Sequence, residues 1–190
     1  MNISGKAPRG SLLRRSSSGY EGREPRCILA EKGKVRTISS HSPEETRALA
    51  ADLVKELKSR GALDRPRVAR DKPGVVLALH GELGSGKTCF VQGLAQALGV
   101  RQVVTSPTFT MVNEYRGQCL LVHVDLYRVN TPEELLSIDF EDCLAGKGIT
   151  VIEWAERAGA WLPRNAWHIY FKVGTTANTR TITLTSVAKR

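Results

Sequence analysis

The chain has 190 residues, 41% hydrophobic and 25% charged, with a formal net charge of +9. That length suits one domain with its own core, and no run reaches the roughly 18 apolar residues that cross a bilayer, which argues against a membrane-spanning protein. Cys27, Cys89, Cys119 and Cys143 lie far apart with no C-x-x-C pair, so free thiols of a reducing compartment, the cytoplasm, are expected rather than a disulfide frame or a zinc site.

The charge is uneven. Residues 1–36 hold nine Lys/Arg against three Asp/Glu, residues 37–72 eight against six, and residues 73–190 eleven against ten. Basicity alone would suggest a nucleic-acid binder, but here it sits mainly in an N-terminal tail, and a solvated basic tail is the simpler reading. Residues 1–34 are rich in Arg, Ser and Gly without sustained periodicity and are expected to be disordered. An organelle transit peptide has a similar composition, but Glu21 and Glu24 count against one, so an extended or misassigned start is the expectation. Residues 35–190 are expected to form a single domain.

In "SHSPEETRALAADLVKEL", Ser42 suits an N-cap, Pro43 the first helical position, and Glu45 closes a capping box. Leu49, Leu53 and Leu57, with Ala50 and Val54, give that helix one apolar face. Residues 61–74, with two prolines and two glycines, read as a loop. "VVLALH" (75–80) reads as a short strand apolar on both faces, as in a covered parallel sheet. A helix from Lys87 places Phe90, Leu94, Ala97 and Leu98 on one stripe, with Gly99 as its C-terminal cap. "LLVHVDLY" (120–127) and "ITVIEW" (149–154) are two more strands, each with a carboxylate near its C-terminal end. Between them Thr131, Pro132 and Glu134 repeat the Ser42 capping pattern and predict a second acidic helix. "WHIYFKV" and "TRTITLTSV", joined by "GTTAN", alternate like a hairpin. The fold class expected from these elements is α/β, with a mostly parallel sheet flanked by helices and a C-terminal β-hairpin. The G-x-x-x-x-G-K-[ST] match at 81–88, between a strand and a helix, makes it a three-layer fold of the P-loop NTPase kind.

The stretch "GELGSGKTCF" (81–90) carries the chemistry. Gly81, Gly86, Lys87 and Thr88 match G-x-x-x-x-G-K-[ST] between a strand and a helix. A triphosphate needs several converging donors, and backbone N–H groups can approach it only where no Cβ intervenes; Gly84 and Gly86 remove that obstacle. The loop enters a helix whose first N–H groups are unpaired and whose dipole is positive at that end. Lys87 adds a charge reaching the β- and γ-phosphates, and the Thr88 hydroxyl is placed to ligate Mg²⁺. Glu82, Leu83, Gly84, Ser85, Gly86, Lys87, Thr88 and Cys89 are the expected ATP-contacting stretch.

Hydrolysis also needs an acid that holds the Mg²⁺ shell or orients water. Asp125 follows "LLVHV" and Glu153 follows "ITVI". Ligands of open α/β sheets collect at the carboxyl ends of the strands, so both acids should face the rim that carries the glycine loop. Which acid serves the metal and which the water is left open by the pattern. "TSPTFT" (105–110) fits a loop that senses the γ-phosphate, with Thr108 as its contact.

Taken together, "GELGSGKT", "SPTFTMVNEY", "HVDLYR" (123–128), "PEEL" (132–135) and "IEWAERAGAWLP" (152–163) closely resemble the TsaE family, also called YjeE, over roughly residues 38–187. The resemblance implies a small ATPase that assists synthesis of threonylcarbamoyladenosine in tRNA. It implies Lys87 on the phosphates, Thr88 and Glu153 on Mg²⁺, and Asp125 as the residue needed for hydrolysis. Thr108 falls in the family's switch-like loop, Trp154 near the nucleotide and the partner surface, and Arg180 where a family arginine reaches the nucleotide. The implied partners are TsaD- and TsaB-like proteins, with tRNA engaged indirectly: TsaD transfers the threonylcarbamoyl group, and ATP hydrolysis resets the complex between turnovers. Low intrinsic activity is expected without them. Cys89 stands where the family usually has Thr or Ser, and a thiol is a poor hydrogen-bond partner for an α-phosphate, so lower affinity is expected there.

Two other classes share parts of this pattern. A small-molecule P-loop kinase also pairs the glycine loop with strand-end carboxylates, but it normally adds an arginine-rich lid, and Arg101, Arg116, Arg128, Arg157, Arg164 and Arg180 are scattered. An RNA-binding module driven by the tail would be expected to carry an RNP-like or KH-like signature, and none is present.

Overall fold

The computed structural model describes residues 35–63 and 74–186; the basic tail and most of the 61–74 loop lie outside them. Seven strands form one sheet, β1 (Val35–Ser40), β2 (Val75–His80), β3 (Val112–Arg116), β4 (Leu120–Asp125), β5 (Ile149–Glu153), β6 (Trp167–Val173) and β7 (Arg180–Ser186), in the order β1-β7-β6-β2-β5-β4-β3. The central block β6-β2-β5-β4 is parallel, while β7 pairs antiparallel with β6 and β1, and β3 antiparallel with β4. This is the P-loop NTPase fold, and the parallel block aims the carboxyl ends of four strands at one rim.

Strand alternation decides what each face buries. Leu77 and Leu79 of β2, Ile149 and Val151 of β5, Leu121 of β4 and Ile169 of β6 share one core with Ala50, Leu53, Val54, Leu57, Phe90 and Leu94 from α1 (Pro43–Ser59) and α2 (Lys87–Ala97). Val76, Ala78, Val122, Val124 and Ile152 share the opposite core with Leu135, Phe140, Ala155 and Ala158. The doubly apolar reading of "VVLALH" therefore holds: β2 is covered on both faces. By the same parity His123, Asp125 and Glu153 fall on the α1/α2 side.

Both long helices begin as their sequences dictate. The Ser42 side chain accepts from Glu45 N at 3.2 Å, and Glu45 Oε2 accepts from His41 N at 2.6 Å, one residue before the N-cap itself. α2 closes in a Schellman motif, with Gly99 N on Gln96 O and Val100 N on Ala95 O, both at 3.0 Å, and Gly99 at φ +73°. The two helices meet at Gly93, where a Cβ would lie 2.5 Å from Arg47 O; no larger residue permits that approach.

Three elements depart from the sequence expectation. The acidic helix predicted from Thr131 is a 3₁₀ segment, Pro132–Ile138, followed by the short α3 (Phe140–Ala145). The Thr131 side chain makes no cap bond, although Glu134 Oε2 accepts Asn130 N at 3.1 Å, and Asp139 at φ +49° breaks the run. Strands β1 and β3, not anticipated, are edge strands. β1 alternates exposed and inward positions, but its inward residues are Arg36, Ile38 and Ser40, of which only Ser40 is fully buried. β3 fully buries only Tyr115, so neither sequence shows the apolar alternation that marks a strand with one buried face.

Candidate functional site

The glycine loop leaves β2 between the carboxyl ends of β5 and β6. Gly81, Gly84 and Gly86 adopt φ of +144°, +73° and +103°, in the region that side chains avoid. At Gly81 a Cβ would meet Phe171 O at 2.6 Å and Ser85 Oγ at 2.9 Å, whereas at Gly84 it would meet nothing within 4 Å. The first glycine is thus required by β6 packed behind it, and Gly84 opens the front of the loop. α2 then starts with no side-chain cap, so the amides of its first turn point at the front unpaired.

A cavity of about 340 Å³ opens there, lined by Leu83 to Cys89, Ser106, Thr108, Asp125, Tyr127, Glu153 and Trp154. Its size lies at the lower end of the range for small-ligand pockets, roughly 300–1,000 Å³. Larger hollows of about 510 and 600 Å³ lie by Leu144 and Trp161 and by Arg101 and Gln118. They lie away from the strand-end carboxylates, and size is not what marks the site.

Lys87, Asp125 and Glu153 are only 4, 2 and 3% exposed. Lys87 Nζ donates to Gly81 O at 2.7 Å and Glu82 O at 2.9 Å, and lies 4.0 Å from the centre of the Trp154 ring. Burial lowers the pKa of this ammonium, while Glu153, Glu156 and Asp125 raise it in that order; the net shift is downward. Thr88 Oγ1 donates to Glu153 Oε1 at 2.8 Å. Asp125 pairs with Glu153 in the β4/β5 register. Its Oδ2 accepts from Ser106 Oγ at 2.5 Å and Thr108 Oγ1 at 2.7 Å, and its Oδ1 from Tyr127 N at 3.0 Å.

The structure therefore brings Lys87, Thr88, Thr108, Asp125, Glu153 and Trp154 to one cavity, as the sequence led us to expect. Trp154 sits at φ +58°, a conformation that costs a non-glycine residue on the order of 1–3 kcal/mol, beside Tyr127 (ring centres 5.1 Å apart) and Arg157 (5.7 Å). Three predicted residues have side chains turned away from the cavity or engaged with other partners. Glu82 contributes its carbonyl to Lys87, and its side chain is exposed. Cys89 lines the rim, but its thiol donates to Pro43 O at 3.3 Å and accepts from Arg47 Nη1 at 3.6 Å, turning toward α1. Burial raises that thiol's pKa despite the nearby Arg47.

Arg180 stands behind the loop. Its Nε and Nη2 donate to Ser85 O and Gly84 O, both at 3.0 Å, and its Nη1 to Ala177 O and Thr179 O at 2.7 and 2.9 Å. The guanidinium is committed to backbone carbonyls, so it braces the glycine loop from the hairpin.

Ser106 and His123 were not singled out from sequence. His123 is fully buried, with Nε2 2.9 Å from Glu153 Oε1. The signal for each was a spacing of two: Ser106 with Thr108, and His123 with Asp125 on one face of a strand.

Thr88 and Glu153 are hard oxygen donors, the type that suits Mg²⁺. Among the described residues no group of three His, Cys, Asp or Glu side chains is placed to hold an ion unaided. That fits an ion of which phosphates supply much of the coordination, with one or two protein groups completing it. The Thr88 hydroxyl directs its hydrogen to Glu153 and keeps its lone pairs available, and Ser85 Oγ is buried without a partner among the described residues. The residues present fit the ion.

The sequence carries the same message beyond this chain. The family model "Threonylcarbamoyl adenosine biosynthesis protein TsaE" matches residues 40–182. The Bacillus subtilis protein named "tRNA threonylcarbamoyladenosine biosynthesis protein TsaE" is 37% identical over 83% of this chain and 87% of its own length. Its namesake in Treponema pallidum is 44% identical over 53% of this chain and 74% of its own. The crystal structure of Bacillus subtilis YdiB superposes with a TM-score of 0.62 at 32% identity, covering 84% of this chain and 90% of that one. With the glycine loop, both strand-end carboxylates and the tryptophan all inside the matched span, the chain belongs to the TsaE family.

Proposed function

We propose that the protein is a Mg²⁺-dependent cytoplasmic ATPase that supports formation of N6-threonylcarbamoyladenosine in tRNA. It would act on a complex of TsaD- and TsaB-like proteins and reset that complex by hydrolysis. The observation that carries the reading is the convergence of Lys87, Thr88, Asp125 and Glu153 on the mouth of one glycine loop. The amides of Lys87, Thr88 and Cys89 and the Lys87 ammonium bind the phosphates, Lys87 leaving its two carbonyl partners to do so. Thr88 and Glu153 would hold the ion, which would supply charge neutralisation to the transferring phosphate. Asp125, fixed by Ser106, Thr108 and the Tyr127 amide, orients the attacking water and accepts its proton. Thr108 reports the state of the γ-phosphate through that hydroxyl–carboxylate bond.

The kinase alternative finds little support. Among the described residues no arginine lines the cavity, whereas a phosphoryl-acceptor clamp is usually built from arginines. The test is ATP hydrolysis with and without a reconstituted TsaB–TsaD pair. Strong stimulation is expected. A rate indifferent to the pair, or phosphoryl transfer to a small acceptor, would overturn the reading.

A further inference from the structure

The most deeply buried polar side chain at the site has no part in the chemistry above. His123 is 0% exposed; its Nε2 lies 2.9 Å from Glu153 Oε1, and its Nδ1 has no hydrogen-bond partner among the described residues. A buried histidine with an orphaned nitrogen is a poor way to fill a core, because a leucine would fill similar volume without desolvating a polar atom. The residue is therefore better explained by the one bond it makes.

The direction of that bond follows from its neighbours. Glu153 Oε1 already accepts the Thr88 hydroxyl at 2.8 Å, so the carboxylate acts as acceptor and the imidazole proton sits on Nε2. The orphan at Nδ1 is then a lone pair, the less costly kind to bury unpaired. Oε1 receives two donors from two elements, α2 and β4, while Oε2 has no protein donor among the described residues. A glutamate held by Thr88 alone could still swing about its side-chain torsions; a second donor from the neighbouring strand fixes the carboxylate plane.

We propose that His123 is a positioning residue for the divalent ion. Its Nε2–H holds Glu153 so that Oε2 faces the cavity and the Thr88 hydroxyl keeps its lone pairs toward the ion. This rests on reading the cavity as a Mg²⁺–ATP site. Outer partners of metal ligands set affinity in this way, typically by about 10–100-fold.

The experiment compares wild type, His123→Leu and His123→Gln. Leu keeps the volume and loses the donor; Gln offers an amide N–H near the position of Nε2. ATP affinity is measured by calorimetry in Mg²⁺ and in EDTA, with a thermal melt of each variant. His123→Leu should lose about tenfold or more in Mg²⁺ while matching wild type within about twofold in EDTA, and it should melt no lower than wild type. His123→Gln should recover most of the loss. Equal losses with and without Mg²⁺, or no loss at all, would overturn the proposal. A wild type whose ATP affinity ignores Mg²⁺ would overturn the functional reading as well. A readout independent of variant folding is the ¹⁵N spectrum of the wild-type imidazoles in metal-free protein: His123 must be the Nε2–H tautomer, and an Nδ1–H form contradicts the assignment.

Discussion

Replacing Asp125 by Asn separates binding from chemistry. The carboxylate accepts three donors, Ser106 Oγ and Thr108 Oγ1 on Oδ2 and Tyr127 N on Oδ1. The asparagine oxygen can keep the Tyr127 amide, and both hydroxyls can rotate to accept from the new NH₂ group. Three charge-assisted bonds, each worth about 1.5–3 kcal/mol, thus become neutral ones worth about 0.5–1.5. The variant should lose about 3 kcal/mol of stability, a fall of about 6–12 °C in Tm for a domain of this size. Hydrolysis should fall by about 10²–10⁴-fold, the usual contribution of a positioned general base. ATP affinity should hold or tighten, because one negative charge leaves the neighbourhood of the phosphates. Calorimetric ATP binding, a thermal melt and single-turnover hydrolysis in the presence of the partner pair read the three quantities. Hydrolysis within about threefold of wild type would remove Asp125 from the chemistry, and loss of ATP binding would show that it serves the phosphates instead.

Other perturbations test the surrounding architecture. Gly81→Ala drives a Cβ to 2.6 Å from Phe171 O, whereas Gly84→Ala meets nothing within 4 Å. Chemical denaturation should show a loss of about 2–4 kcal/mol for the first and about 1–2 for the second, and equal losses would contradict the packing argument. Arg180→Ala should weaken ATP binding by about tenfold with little recovery in Arg180→Lys, since one ammonium cannot span two carbonyls as a guanidinium does; a fully active lysine variant would show that charge alone matters. The Lys87 pKa is lowered in the free protein, so its ammonium costs stability below that pKa, and the cost is relieved as pH rises through it toward the unfolded value. Bound phosphates favour the ammonium, so ATP affinity should begin to fall at a pH below the ordinary lysine range; a pH-independent affinity through that range would contradict this.

Much of this arrangement could be read before the fold was known, for physical reasons. β2 was visible because both its faces are buried, α1 and α2 because each carries one apolar stripe, and the glycine loop because three positive-φ positions leave little choice of residue. Their places at the carboxyl ends of two strand patterns put Asp125 and Glu153 on the rim of the loop. What stayed hidden depends on distant partners. The edge strands β1 and β3 bury too little to pattern their sequences. The 3₁₀ segment after Thr131 was disguised by a sound capping pattern whose key hydroxyl makes no cap bond. Arg180 was singled out through the family resemblance alone, and its brace on the glycine loop stayed hidden because its carbonyl partners at residues 84 and 85 are remote in sequence. The bond from His123 to Glu153 spans two strands joined through α3, so no local pattern records it.

A crystal structure with Mg²⁺ and a non-hydrolysable ATP analogue addresses the whole account. The β- and γ-phosphates should lie on the α2 amides with Lys87 drawn off Gly81 O and Glu82 O, the ion on Thr88, and Glu153 still bonded to His123. An analogue seated outside the 340 Å³ cavity, or a Lys87 that stays on its carbonyls with phosphate present, would contradict it.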